Sequence, residues 1–269
     1  IDSVYPPQVG GVERAVNMPG DAYDRLAAAC AAEATCAARF GDLNALLDRA
    51  VARFDEDPEE LTATFTLRGE EVTRDFVITG ADVRAGLFGA LYEQQYIPLL
   101  PTIIDQLAND QRGIVPLFIT AGMPRLLDLS EGAYYAVDCA DSWRLSNPGE
   151  ARKALLAAEA DGLLALGTSH SFCADWKVKP NPKSFNQPVT ADVPTLVFGA
   201  TLDPVTPYAD SVHQASIMPD ARFVSVPNGG HGGVGFNACT RDAGYGFLAD
   251  PSAPLPACVA SLQPNPFAT

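Results

Sequence analysis

The sequence contains no apolar run approaching the roughly 18–20 residues that a membrane-spanning helix requires. It is also poor in cations: only four lysines occur, Lys153, Lys177, Lys179 and Lys183, and the formal net charge is −15. A surface of that sign repels phosphate backbones and anionic lipid, so neither nucleic acid nor membrane is an expected partner. The acidity itself reads as solubility rather than as a site for a cationic partner. No C-x-x-C pair occurs and no histidine stands at zinc-finger spacing, so no metal is expected, and nothing points to another cofactor. Residues Ile1 to Gly10 lack a basic start and a long apolar stretch, and do not read as a signal peptide. The pentapeptide G-x-S-x-G is missing as well, which matters for the chemistry below.

What is present suits a folded protein. The chain has 269 residues, of which 47% are hydrophobic, enough for one large domain or for a core with a cap. Six cysteines occur, Cys30, Cys36, Cys139, Cys173, Cys239 and Cys258. Proximity pairs Cys30 with Cys36 and Cys239 with Cys258 across a Pro-rich loop, which would leave Cys139 with Cys173. Three bridges would mean an oxidising compartment, secreted or periplasmic. The alternative is six reduced, buried thiols in a cytosolic protein.

The pattern along the chain divides it in three. Residues 1–14 read as the end of a core strand, Ile1 to Val4, and a turn at Tyr5-Pro6-Pro7. Residues 15–185 read as a mainly helical insertion. Within it, Asp21 and Asp42 are expected to cap helices, the second carrying Leu43, Leu46, Leu47, Ala50 and Phe54 on one face. A hairpin is expected near 61–78, around Arg68-Gly69. Asp82 is expected to open a further helix, Pro98 and Pro101 to interrupt it, and helices to follow over Glu131–Ser142 and Glu150–Leu166. The Pro-rich stretch 177–194 reads as a linker. Residues 186–269 then carry apolar strands at Thr195–Phe198 and Arg222–Val226 with a helix from Tyr208 to Met218 between them. That is a βαβ unit, whose strands should pair in parallel.

Each of these two strands runs straight into a loop with a reactive side chain. The first loop is Gly199-Ala200-Thr201-Leu202-Asp203-Pro204-Val205-Thr206-Pro207. The second is Asn228-Gly229-Gly230-His231-Gly232-Gly233. Reactive groups of open α/β sheets gather at the carboxyl ends of strands. Asp before Pro is common in turns, and a lone His in a Gly-rich loop can be plain surface. An acid and then a histidine at successive strand ends nevertheless follow the Ser…Asp…His order of α/β-hydrolases. In that reading Asp203 fixes the imidazole tautomer and His231 is the general base and acid.

The segments Pro194-Thr195-Leu196-Val197, Leu202-Asp203-Pro204-Val205-Thr206-Pro207 and Gly230-His231-Gly232 resemble the C-terminal region of TAP-like α/β-hydrolases, relatives of tripeptidyl and prolyl aminopeptidases. Weaker likenesses extend outward to Cys173-Ala174-Asp175-Trp176, to Tyr134-Tyr135-Ala136-Val137-Asp138-Cys139, and to the Cys30–Cys36 and Cys239–Cys258 positions. The resemblance implies a partial α/β-hydrolase fold with a large helical cap. It implies a serine peptidase-like enzyme that releases residues from peptide amino ends, or an esterase that acts on a small amide or ester. A non-catalytic binding protein that keeps the scaffold is the rival from another class.

The departure from the family is the nucleophile. The nearest approach to an elbow is Gly167-Thr168-Ser169-His170-Ser171, and the interval from Ser169 to Asp203 is too short for the elements an elbow must precede. Ile1 to Pro7 resembles the strand that follows the elbow helix, so the serine, and with it the oxyanion hole, is expected upstream of Ile1. The chain alone is then expected to be inactive. His170 and His213 read as structural or surface residues, and Trp143 and Trp176 as packing. Glu131, Asp138 and Asp141 are weak candidates for holding a substrate ammonium group. A remnant of three strands would leave an open sheet edge, through which a homo-oligomer is expected to form.

Overall fold

The computed structural model describes residues 1–117, 130–160, 173 and 176–269. The helical part begins with α1, Val12–Ala32, followed by α2, Ala34–Phe40, and α3, Leu43–Glu56. Asp21 is no cap. Helix α1 starts nine residues earlier in the sequence, at Val12, and runs on through Pro19. Val16, Ala22, Tyr23, Leu26 and Cys30 form one buried stripe along it, and Pro19 is itself buried. Packing of that stripe outweighs the roughly 3 kcal/mol that an interior proline costs a helix. Asp42 does cap α3, its carboxylate accepting from the Ala45 amide at 3.1 Å, and Leu43, Leu46, Leu47, Ala50 and Phe54 are all buried.

The hairpin pairs β1, Glu59–Leu67, with β2, Glu70–Ile78, in antiparallel register from Glu59 opposite Ile78 to Leu67 opposite Glu70. Arg68 (φ 51°) and Gly69 (φ 83°) are both left-handed, the geometry of a two-residue hairpin turn that follows the strand twist. Helix α4 spans Gly80–Ala90. Thr79 caps it, and Asp82 sits at the third position of a capping box rather than at the cap itself. After a 3₁₀ turn at Ile97–Leu99 comes α5, Leu100–Ala108, with Pro101 in its first turn, where no backbone donor is missed. Helices α6, Glu131–Asp141, and α7, Pro148–Ala160, follow. The expected continuation to Leu166 lies outside the described residues.

The C-terminal part holds β3, Thr195–Ala200, α8, Tyr208–Ile217, β4, Ala221–Val226, and α9, Ala238–Ala249. Strands β3 and β4 pair in parallel, Thr195 opposite Ala221 through Ala200 opposite Val226. Every residue of β3 is buried, which is why it reads as an unbroken apolar run. The chain start lies on the other side of β3. Asp2 forms a parallel bridge with Phe198, the Phe198 amide donates to the Ile1 carbonyl at 3.0 Å, and the Ile1 ammonium donates to the Leu196 carbonyl at 2.7 Å.

Two apolar clusters result. The larger joins α1–α5, including Leu26, Phe54, Leu87, Leu100 and Ile104, and takes in Leu202 from the loop after β3 and Phe267 from the tail. The smaller sits around Leu196, Phe198, Val224, Val226, Phe236 and Ala243. The tail reaches the helical part by backbone as well: the Ala268 amide donates to the Pro98 carbonyl at 2.8 Å, and the Phe267 amide to the Glu33 carboxylate at 3.2 Å. Three disulfides, Cys30–Cys36, Cys139–Cys173 and Cys239–Cys258, bind the fold, the pairing expected from proximity. Among the described residues no helix is long and apolar enough to cross a membrane.

Candidate active site

The loops after β3 and β4 meet. The Thr201 amide donates to the Val226 carbonyl at 3.1 Å, the Leu202 amide to the Gly229 carbonyl at 2.9 Å, and the Asn228 amide to the Thr201 hydroxyl at 2.8 Å. Such close approach needs small residues. A side chain at Gly229 would fall 2.6 Å from Val226 Cγ1, and one at Gly199 2.8 Å from Ser211 Cβ. Strand register and loop bonding together bring the acid and the imidazole within reach.

His231 Nδ1 lies 3.0 Å from Asp203 Oδ2 and 3.2 Å from Oδ1. Asp203 is fully buried, whereas His231 keeps a third of its side chain exposed. A buried carboxylate is costly unless donors surround it. Asp203 has four: the imidazole, the Val205 amide at 3.0 Å, the Thr206 amide at 2.8 Å and the Thr206 hydroxyl at 2.5 Å. Burial pushes the Asp203 carboxyl up, but the hydrogen bonds from His231 and Thr206 more than reverse it, and the group ends below its ordinary value. An ionised carboxylate accepts from Nδ1–H, so the free lone pair of the neutral imidazole is on Nε2.

Several supports of this pair were not read from the sequence. The Asp2 carboxylate accepts from the Gly233 amide at 2.7 Å and the Val234 amide at 3.0 Å, while the Ser3 hydroxyl accepts from the Gly232 amide at 2.8 Å. The start of the chain thus anchors the far side of the His231 loop. Arg25, in α1, donates to the Asp203 carbonyl at 2.9 Å, and Arg14 in the same helix forms an ion pair with Asp210 of α8. Burial raises the Asp210 carboxyl despite that arginine. Tyr92 sets its ring edge-on to His231, with centroids 5.3 Å apart. None of these had a local signal, unlike Thr206: in Asp-Pro-Val-Thr the acid side chain can accept from amides two and three residues on.

The other sequence candidates are placed elsewhere. Asp141 Oδ1 accepts from the Asn181 side-chain amide at 2.5 Å. Asp138 is half-buried, near Tyr5 and Tyr134. The Glu131 side chain, Ser169 and His170 lie outside the described residues. His213 is on α8, its carbonyl accepting from Ser216. A cavity of about 510 Å³ lined by Arg144, Leu145, Lys183, Asn186 and Gln187 includes neither Asp203 nor His231. Among the described residues no cluster of three or more His, Cys, Asp or Glu side chains could hold a metal.

Parallel strands that deliver an acid and then a histidine from their carboxyl ends define an α/β-hydrolase arrangement. Residues 164–258 match the family described as TAP-like protein, one of the α/β-hydrolase families. The C-terminal part of the chain, with β3, Asp203, β4 and His231, is thus similar to the TAP-like family, and hydrolase chemistry is supported at that level. No curated protein matches the chain.

Proposed function

We propose that this chain is the acid- and base-bearing part of a serine peptidase of the aminopeptidase type. In this reading residues 1–14 and 186–269 belong to the catalytic core and 15–185 to its cap. The observation that supports it most is the buried Asp203 carboxylate held by four donors, one of them the Nδ1–H of a partly exposed imidazole. The nucleophile is a serine in a segment preceding Ile1, since no G-x-S-x-G occurs in the sequence.

His231 Nε2 takes the serine proton as the serine oxygen bonds to the scissile carbonyl carbon. The imidazolium, stabilised by Asp203, then protonates the leaving amine, and the C–N bond breaks. Water repeats the attack on the acyl-enzyme, giving its proton to Nε2, and the acid product leaves with the serine restored. For amino-end specificity a cap carboxylate must meet the substrate ammonium. The cap carboxylates Glu131, Asp138 and Asp141 are the proposed groups. The three disulfides favour a secreted or periplasmic setting. Self-association through the sheet edge beside Asp2 is proposed for the 269-residue chain, and light scattering that shows a monomer removes it.

The test uses the complete gene product. Aminoacyl and tripeptidyl anilides should be hydrolysed, amino-blocked anilides should not, and His231→Ala should abolish turnover. Preference for simple acyl esters would make the protein an esterase of the same fold. No hydrolysis of either class would leave a binding scaffold.

A further inference from the structure

We propose that Gln94, in the cap, is a positioning residue for His231; this rests on the reading of His231 as the base. The loop that carries the histidine is rich in glycine, Gly229-Gly230-His231-Gly232-Gly233, so its own backbone holds the imidazole loosely. Its position is set by contacts from outside. Asp2 and Ser3 hold the amides of residues 232–234, beyond the histidine. Before the histidine, the corresponding pin is Gln94, from the turn that follows α4. Its side-chain oxygen accepts from the Gly230 amide at 3.0 Å, and its amide nitrogen donates toward the Asn228 carbonyl at 3.4 Å. The two bonds fix which way the amide faces, since the flipped group would set donor against donor and acceptor against acceptor.

The surroundings make this contact directional. Asn228 is left-handed at φ 49°, a conformation that asparagine adopts more readily than most other non-glycine residues. It is gripped from the acid loop through Thr201 and from the cap through Gln94. Gly230 is packed under the cap so closely that an added Cβ would fall 2.3 Å from the Leu91 carbonyl oxygen and 2.8 Å from Ile97 Cδ1. Leu91 and Ile97 limit how high the loop can rise, Tyr92 borders the ring, and Gln94 supplies the polar bond that draws the loop to that limit. The cap thereby sets the height of the imidazole over Asp203. A misplacement of about 1 Å is enough to cost roughly 100-fold in rate.

Two variants of the complete gene product separate this role from plain packing. Gln94→Met keeps the side chain's length and removes both hydrogen bonds. Gln94→Glu keeps the acceptor for Gly230. Gln94→Met should lower kcat by roughly 10- to 100-fold with KM unchanged. Gln94→Glu should recover part of the loss, because its carboxylate still accepts from the Gly230 amide while its second oxygen now meets the Asn228 carbonyl. In proton NMR the deshielded His231 Nδ1–H signal should exchange faster with water in Gln94→Met than in the parent. Wild-type kcat in Gln94→Met, equal losses in both variants, or an unchanged Nδ1–H exchange rate would overturn the assignment. If the complete protein hydrolyses nothing, the functional reading fails. The Nδ1–H exchange in the 269-residue chain, parent against Gln94→Met or, should that variant not fold, against Gln94→Glu at the Gly230 amide, still decides whether Gln94 holds the loop.

Discussion

Thr206→Val removes one hydroxyl and little else, and its consequence can be worked from the site. The Thr206 hydroxyl donates to Asp203 Oδ2 at 2.5 Å, and both residues are buried. A hydrogen bond to a charged group contributes about 1.5–3 kcal/mol, and its loss leaves part of a buried carboxylate unsolvated. For a chain of this size each kcal/mol moves Tm by about 2–4 °C. The effect must depend on pH. Asp203 in the folded chain lies below its ordinary value, so its ionised form contributes stability above about pH 4 and loses it as pH falls through the lowered folded value. The variant raises the folded value toward the unfolded one. Its deficit should therefore be full at pH 7 and shrink steadily below about pH 4. Urea unfolding of parent and variant at neutral and acid pH reads this directly. A deficit under about 0.5 kcal/mol at pH 7, in the range of an ordinary surface change, would refute the reasoning. So would a deficit that does not change with pH.

Other perturbations reach different parts of the account. Asp203→Asn should keep the fold while turnover of the complete gene product falls by about 10⁴-fold, because the amide permits the wrong imidazole tautomer; steady-state kinetics with an anilide substrate would show it. Gly230→Ala drives a methyl group into the Leu91 carbonyl oxygen, so thermal unfolding should report a loss of about 1–3 kcal/mol, with turnover lowered as the loop shifts. Replacing Cys239 and Cys258 with serine opens a loop of separation 19 and should cost about 3 kcal/mol, measured against the parent under non-reducing conditions.

How much of this was legible in the sequence depended on range. Asp42, the two-residue turn at Arg68-Gly69 and the apolar runs of β3 and β4 are local signals, and local chemistry decided them. Asp21 misled, because a good cap is a local signal, as is the helix breaker Pro19. The buried stripe from Val16 to Cys30 overrode both through contacts with distant helices. The meeting of Asp203 with His231 was readable because strand ends position them, and their separation fits one helix and one strand. Arg25, Tyr92 and Gln94 were not, since each meets the site from a helical segment more than a hundred residues away in sequence. Asp2 and Ser3 were hidden in the same way. Their role exists only once the chain start lies beside β3 and reaches the loop after His231.

The claim at the centre is that Asp203 and His231 serve a serine carried by a segment that precedes Ile1. Labelling the complete gene product with a serine-directed fluorophosphonate, and mapping the modified peptide by mass spectrometry, tests it most directly. The account predicts one modified serine in a G-x-S-x-G before Ile1, with labelling abolished in His231→Ala. A label on any serine within residues 1–269, Ser169 included, or labelling indifferent to His231, would contradict it.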